Sequence, residues 1–329
     1  MHFISLTRVL VTALAGSCSV TLAAAVPATY IARRDGEVGI AAVNPIRLVY
    51  AFNDSTNLEN IAVRSNGKLL LTTLSHPWVY TLNPSSSNPQ PTVIATFNSP
   101  VANSVLGIAE YAPDQFAVIT ELSNTATFSG TNTTIWTMDL RYNPARVRRM
   151  GNGMTAVPGL SGVVGVADST QGAVWGVEIA TGRTAIILQD PALGPIPGGF
   201  PLGINGLHVF GSYLYFTNSG QGFVGRVTNN GWSAGPIEVL ATKPSTQVAY
   251  DDFAIDSMGR LWIAGHTNAL DVVYPNGTQI VATTSLVSSP TDRGPSACAF
   301  GRGSSAQQKT LYVTTSGGGL FAIDTDHVV

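Results

Sequence analysis

Leu69-Leu70-Leu71-Thr72-Thr73 and Leu311-Tyr312-Val313-Thr314-Thr315 lie toward opposite ends of the chain, yet they read as the same strand. Four segments between them repeat the phrase: Phe116-Ala117-Val118-Ile119-Thr120, Val174-Trp175-Gly176-Val177-Glu178, Leu214-Tyr215-Phe216-Thr217-Asn218 and Leu261-Trp262-Ile263-Ala264-Gly265. Each is short, rich in branched and aromatic residues, and preceded by a turn that usually carries glycine, as the second strand of a hairpin is. With Leu70, Phe116, Val174, Leu214, Leu261 and Leu311 as markers, the steps are 46, 58, 40, 47 and 50 residues. The uneven middle pair reads as a loop of variable length within an unbroken repeat. A period of this size, with four short strands to the unit, predicts an all-β, six-bladed β-propeller.

The composition agrees with that reading. Charged residues make up 11% of the 329, against roughly 25% in ordinary soluble domains, and no segment sustains a helical period. Hairpin signals recur at Ser65-Asn66-Gly67, Asn229-Asn230-Gly231, Ser257-Met258-Gly259 and Pro275-Asn276-Gly277. The net charge of −2 points away from nucleic acid and anionic membranes. The one basic cluster, Arg146-Val147-Arg148-Arg149, reads as a solvated loop. Two segments rich in proline, 84–91 and 191–201, read as loops, the second long enough to fold over a cavity mouth.

The N-terminal residues 1–25 read as a signal peptide: Arg8, an apolar run, then Ala23-Ala24-Ala25 before Val26-Pro27. The run is too short for a membrane anchor. Residues 26–44 are expected to be a flexible leader, with Arg33-Arg34 as a candidate processing site, and 45–329 the propeller domain. The chain is thus expected in the secretory pathway, secreted or in a vesicle lumen, as a monomer or weak oligomer. Asn53, Asn132 and Asn276 head glycosylation sequons. Loss of Cys18 with the signal leaves Cys298 unable to form an internal disulfide. Residues 46–52 have no partner in a blade of their own, so they are expected to close the last blade.

Function in a propeller concentrates where the innermost strands meet the axis. Those strands begin Leu58-Glu59-Asn60-Ile61, Leu106-Gly107-Ile108-Ala109, Gly162-Val163-Val164-Gly165, Ile204-Asn205-Gly206-Leu207, Asp251-Asp252-Phe253-Ala254 and Pro295-Ser296-Ala297-Cys298. Glu59, Asn205, Asp251 and Asp252 would then converge on one hollow. Carboxylates gathered there need hydrogen bonds, pairing or a metal, and a ring of carboxylate and amide oxygens suits a hard cation such as Ca²⁺. A hydrogen-bonded structural plug is the alternative.

Glu59 with Gly67-Lys68-Leu69-Leu70, Gly203-Ile204-Asn205-Gly206-Leu207, Leu214 to Ser219, Asp251 to Ala264, and Ser296 to Gly301 together resemble the gluconolactonase/senescence-marker-protein superfamily of six-bladed propellers. The likeness is greatest to a secreted fungal branch that includes natural-product hetero-Diels–Alderases. The resemblance implies, for hydrolytic members, a divalent cation held by a Glu, two Asn and an Asp. Glu59, Asn205 and Asp251 match three of these; no Asn stands at Val105-Leu106-Gly107, although Asn103 lies slightly upstream. For the biosynthetic members it implies a reaction without metal or redox cofactor. An acid–base pair expels water from a benzylic alcohol, and the o-quinone methide adds to a terpene alkene inside an apolar cavity.

Three readings follow. The first is a secondary-metabolite hetero-Diels–Alderase or cyclase that needs no cofactor and acts on hydrophobic polyketide-derived and terpene partners. Its catalytic candidates are Glu59, Asp251, Asp252 and His208, and its substrate-binding candidates Asn205, Trp78, Phe253, Ser296 and His266. Phe200 and Trp262 are further wall candidates and His76 a further proton donor. The second reading is a Ca²⁺-dependent lactonase or esterase with Glu59, Asn205 and Asp251 on the metal and Asp251 as base. The third is a non-catalytic binding propeller. The chain has no Gly-x-Ser-x-Gly elbow, zinc spacing or phosphate loop, and Cys298 sits in an apolar strand where a thiolate nucleophile is disfavoured.

Overall fold

A computed structural model describes residues 39–40, 46–52, 55–97, 102–149, 155–156, 162–230, 233–289 and 292–326. Six sheets, each consisting mainly of four antiparallel strands, form a six-bladed propeller whose regular secondary structure is nearly all β. Blade one runs Leu58–Val63, Leu69–Thr73, Trp78–Leu82 and Thr92–Thr96 from axis to rim. Blade two has Ser104–Ala112, Gln115–Asn124, Ser129–Asp139 and Arg146–Arg149. The basic cluster is therefore the outer edge strand of blade two, paired to Trp136 through Asp139, and not a loop.

Blade three corrects the spacing of the repeat. Its strands run Thr155–Ala156, Val163–Asp168, Ala173–Glu178 and Thr184–Gln189, and Thr155–Ala156 contacts the innermost strands of both neighbouring blades. Val163–Asp168 is the second strand and Ala173–Glu178 the third. Marking this blade at Val164 turns the uneven steps of 58 and 40 into 48 and 50. The irregularity came from taking the third strand for the second, since both are short apolar runs ahead of a turn.

Blade four holds Ile204–Phe210, Tyr213–Asn218, Phe223–Asn230 and Glu238–Thr242; blade five holds Tyr250–Ile255, Leu261–Gly265, Ala269–Val273 and Gln279–Thr283. Blade six combines Pro295–Phe300, Thr310–Thr315 and Gly319–Asp324 with Ile46–Ala51, which joins as the outer strand. The N-terminal closure is thus present. Gly39–Ile40, expected in a flexible leader, pairs in parallel with the rim strand of blade five at Ile280 and Val281. Residues 1–38 and Asn53 lie outside the described residues, whereas Asn132 and Asn276 are exposed.

The apolar cores lie between blades, not on the axis. Trp262, Leu270 and Val272 of blade five pack with Cys298, Leu311, Val313 and Phe321 of blade six. Blades one and two share Leu70, Val79, Phe97, Val105, Phe116, Val118 and Met138. Blade-to-blade packing of this kind leaves the centre open, and a cavity of about 1040 Å³ occupies it.

Candidate active site

Five of the six innermost strands carry an irregularity in register near the cavity, which decides what faces it. In blade one, Leu58 pairs with Thr73 and Ile61 with Leu71, so Glu59 and Asn60 both stand opposite Thr72. Asn205-Gly206 stand likewise opposite Thr217, Asp251-Asp252 opposite Ala264, and Leu106-Gly107 opposite Ile119; in blade six the shift falls at Pro295/Ala297. A bulge of one extra residue lifts the strict alternation of faces. Adjacent side chains such as Glu59 and Asn60, or Asp251 and Asp252, therefore both reach the cavity. The threonine of the repeated phrase serves these bulges: Thr72 Oγ1 accepts from the Asn60 amide, and Thr217 Oγ1 from the Gly206 amide, each at 2.9 Å.

Two Asp–His pairs result. Asp251 accepts from Asn205 Nδ2 at 2.8 Å on one oxygen and meets His266 Nε2 at 2.9 Å on the other. His266 Nδ1 faces the Arg293 carbonyl at 3.2 Å. Both ring nitrogens thus face acceptors, so the ring is fully satisfied only as imidazolium. Burial opposes that charge, but the hydrogen bond and charge of Asp251, with the Arg293 carbonyl and Glu59 behind them, raise the His266 pKa to about 9. Asp252 accepts from Asn60 Nδ2 and meets His208 Nε2, both at 2.9 Å. Asp252 engages Nε2 of His208, so Nδ1 is the ring nitrogen free of that carboxylate. Gly206 makes this pair possible, because a Cβ there would come within 2.6 Å of Asp252 Oδ1.

Glu59 stands among these groups on the cavity wall. Among the described residues its carboxyl forms no hydrogen bond. Burial first, then the charge of Asp251, push its pKa up to about 8; His266 pulls it down, and Asp252 and Glu121 add smaller upward pushes. Glu59 is therefore a neutral carboxylic acid at neutral pH. The site gathers a proton on Glu59, a cation on His266 and the His208 imidazole around two hydrogen-bonded aspartates.

The proposed metal set does not fit a divalent cation as these residues are arranged. Both Asp251 oxygens are engaged, one of them by a cation. Asn205 turns its nitrogen, not its oxygen, toward Asp251 and Ser219. That orientation is set by Ser219, whose hydroxyl donates to the Tyr250 carbonyl and so accepts from Asn205. Asn103 is bound to Ser123 through both its amide groups. No group of three His, Cys, Asp or Glu side chains suited to a metal occurs among the described residues.

Glu59, Asn205, His208, Asp251, Asp252, His266 and Ser296 all line the cavity. Ser296 is nonetheless committed, donating to the Leu58 carbonyl at 2.9 Å. The aromatic wall differs from expectation. Trp78 packs at the margin of the core between blades six and one, stacked on His76 at 4.3 Å. Phe253 is fully buried between blades four and five and meets the cavity only through the edge contact it gives His208 at 4.7 Å. Trp262 is buried between blades five and six, its indole donating to Asp256. These side chains fall on the faces of the inter-blade cores, which the sequence pattern could not tell from the axial face.

Of the expected aromatic wall Phe200 does line the cavity, and Trp175 and Phe128, which were not expected, join it there. Trp175 reaches it from the third strand of blade three and donates to Asp168 at 3.3 Å. Phe128 comes from the tip of the long hairpin of blade two and meets Phe200 at 5.1 Å. Phe200 lies in the 191–201 segment, the loop expected to cover the mouth. Asn60 and Glu121 were also missed; Asn60 stood beside Glu59 in plain view, and only the bulge turns it inward.

No family model matches the chain. It is 27% identical over 317 residues to a protein from Phoma sp. provisionally named a hetero-Diels-Alderase, covering 82% of this chain and 86% of that one. A second protein of that provisional name, from Sarocladium schorii, is 25% identical over 324 residues, covering 82% and 78%. Among solved structures, luciferin-regenerating enzyme superposes with a TM-score of 0.61 at 16% identity, covering 86% of this chain and 96% of its own. A calcium-binding protein, regucalcin from Agrobacterium tumefaciens, gives 0.58 at 13% identity, covering 88% and 98%. By sequence the chain is similar to these two hetero-Diels-Alderase-named proteins, and its six-bladed propeller fold superposes on luciferin-regenerating enzyme and regucalcin.

Proposed function

We propose that this protein is a fungal biosynthetic enzyme of the hetero-Diels–Alderase kind. It would generate an o-quinone methide by loss of water and hold it for cycloaddition to a terpene alkene. The sequence kinship to the two fungal proteins supports the general reaction class. The observation that carries the finer reading is the neutral Glu59 carboxyl set among charged groups in a roomy axial cavity.

In this reading Glu59 gives its proton to the benzylic hydroxyl as the C–O bond breaks and water leaves. His208 Nδ1, oriented by Asp252, takes the phenolic proton. The products are a neutral o-quinone methide and water, with no oxidant or reductant required. Cycloaddition then forms one C–C and one C–O bond, and the cavity contributes by holding the two reactants in contact. His266, held as a cation by Asp251, places a positive charge on the cavity wall, and its field lowers the electron density of the diene carbonyl. Trp175 supplies a flat face for the aromatic portion.

The test is turnover of a benzylic alcohol precursor with an alkene, measured with and without a chelator. Activity is expected to survive the chelator and to fall at least 100-fold in Glu59→Gln. Hydrolysis of a lactone that disappears with the chelator would instead establish the lactonase reading. Asp251→Asn is expected to weaken the hold on the His266 charge and slow cycloaddition; unchanged turnover would remove this pair from the mechanism.

A further inference from the structure

Beside the mouth of the axial cavity lies a second chamber of about 400 Å³, within the roughly 300–1,000 Å³ range of small-molecule sites. Phe128, Phe200, Ala249, His266 and Arg293 border both spaces, while Val248 faces the second. The Phe128–Phe200 pair stands on the boundary, one ring from blade two and the other from the loop before blade four.

The polar groups around this chamber are largely spent. Asp292 accepts on one oxygen from Ser288 N, Ser288 Oγ and Thr315 Oγ1, and on the other from Gly294 N, Gly317 N and Ser316 Oγ. The Thr267 hydroxyl donates to the Thr246 carbonyl at 3.0 Å. Both nitrogens of His266 are engaged. Apart from the exposed Arg293 at its border, a ligand there meets mainly aromatic and aliphatic faces, and a neutral polar ligand would lose its water with little in exchange. Phe128 and Val248 are also 42% and 58% exposed, large apolar side chains that gain by being covered.

We propose that this side chamber is the seat of the alkene, a neutral terpenoid hydrocarbon, which meets the diene of the axial cavity at the boundary marked by His266. The assignment rests on the cycloaddition reading for the identity of the occupant. It divides the reactants by chemistry: the oxygenated precursor among the carboxyls and imidazoles, the hydrocarbon among phenyl rings. Such a division also fixes which face of the diene the alkene approaches.

Binding is measured on the full chain with the neutral apolar fluorophore N-phenyl-1-naphthylamine, displaced by a cyclic sesquiterpene hydrocarbon. One-site binding is expected, weakened at least tenfold by Val248→Asp and by Phe128→Ser, with each variant's thermal midpoint recorded to show that it folds. Arg293→Ala is expected to leave affinity for the neutral probe within twofold. Three results would overturn the assignment: no binding to the parent protein, equal affinity in both chamber variants, or a tenfold loss in Arg293→Ala, which would point to an anionic ligand. Because the readout needs no turnover, failure of the cycloaddition assay would leave this test standing. A protein that performs the cycloaddition yet fails these binding criteria would sink the chamber alone.

Discussion

Glu59 and His266 share an unusual dependence on pH. The Glu59 pKa rises from 4.5 to about 8 on folding and that of His266 from 6.5 to about 9. In each case the folded state holds the proton more tightly than the unfolded chain, so stability falls as pH rises. For Glu59 the loss runs between about pH 4.5 and 8, and for His266 between about pH 6.5 and 9. Glu59→Gln is therefore expected to flatten the decline of the thermal midpoint across the lower window and to be relatively most stabilising near pH 8. A variant whose midpoint tracks the parent at every pH would show that Glu59 is not held protonated. The same values predict activity that falls on the alkaline side, first as Glu59 loses its proton.

At the scale of strands, the bulges are the device that builds the site. Thr217 accepts from the Gly206 amide at 2.9 Å and donates to the Asp251 carbonyl at 2.7 Å, tying the bulge of blade four to that of blade five. Thr217→Val keeps the shape but leaves a buried donor and a buried acceptor unpaired, at about 1–3 kcal/mol each. Chemical denaturation is expected to show that loss, together with a drop in turnover larger than stability explains. The long hairpin of blade two carries a second such dependence. Gly130 lies against the Glu121 carboxylate, leaving no room for a Cβ. Gly130→Ala should displace Glu121, which Ser123 and Thr133 now hold, and lower the Glu59 pKa by removing a neighbouring negative charge. The shift can be read from the pH–rate profile.

The whole ring depends on one outer strand from the N-terminal side. Ile46–Ala51 pairs with Gly319–Asp324 and covers the rim edge of blade six. Deleting residues 46–51 bares that edge for intermolecular pairing. The expected result is a fall in thermal midpoint of about 10 °C or more, with aggregation detected by light scattering. An unchanged midpoint would mean that the inter-blade cores alone hold the ring.

The repeat of short apolar strands determined the architecture by itself, because period-two burial and glycine turns are local properties of the chain. It placed Glu59, Asn205, Asp251 and Asp252 at the entries of innermost strands, beside the axis, although strict alternation would turn only one of the two aspartates inward. It failed at blade three, where two successive strands look alike and only pairing distinguishes them. It failed again for Trp78, Phe253 and Trp262, since a buried aromatic on a blade reads the same whether it faces the axis or the next blade. Which groups share protons was decided by tertiary structure alone. The pairings of Asp251 with His266 and Asp252 with His208 join residues 15 and 44 positions apart, and bulges that no local pattern announces bring both aspartates to one hollow.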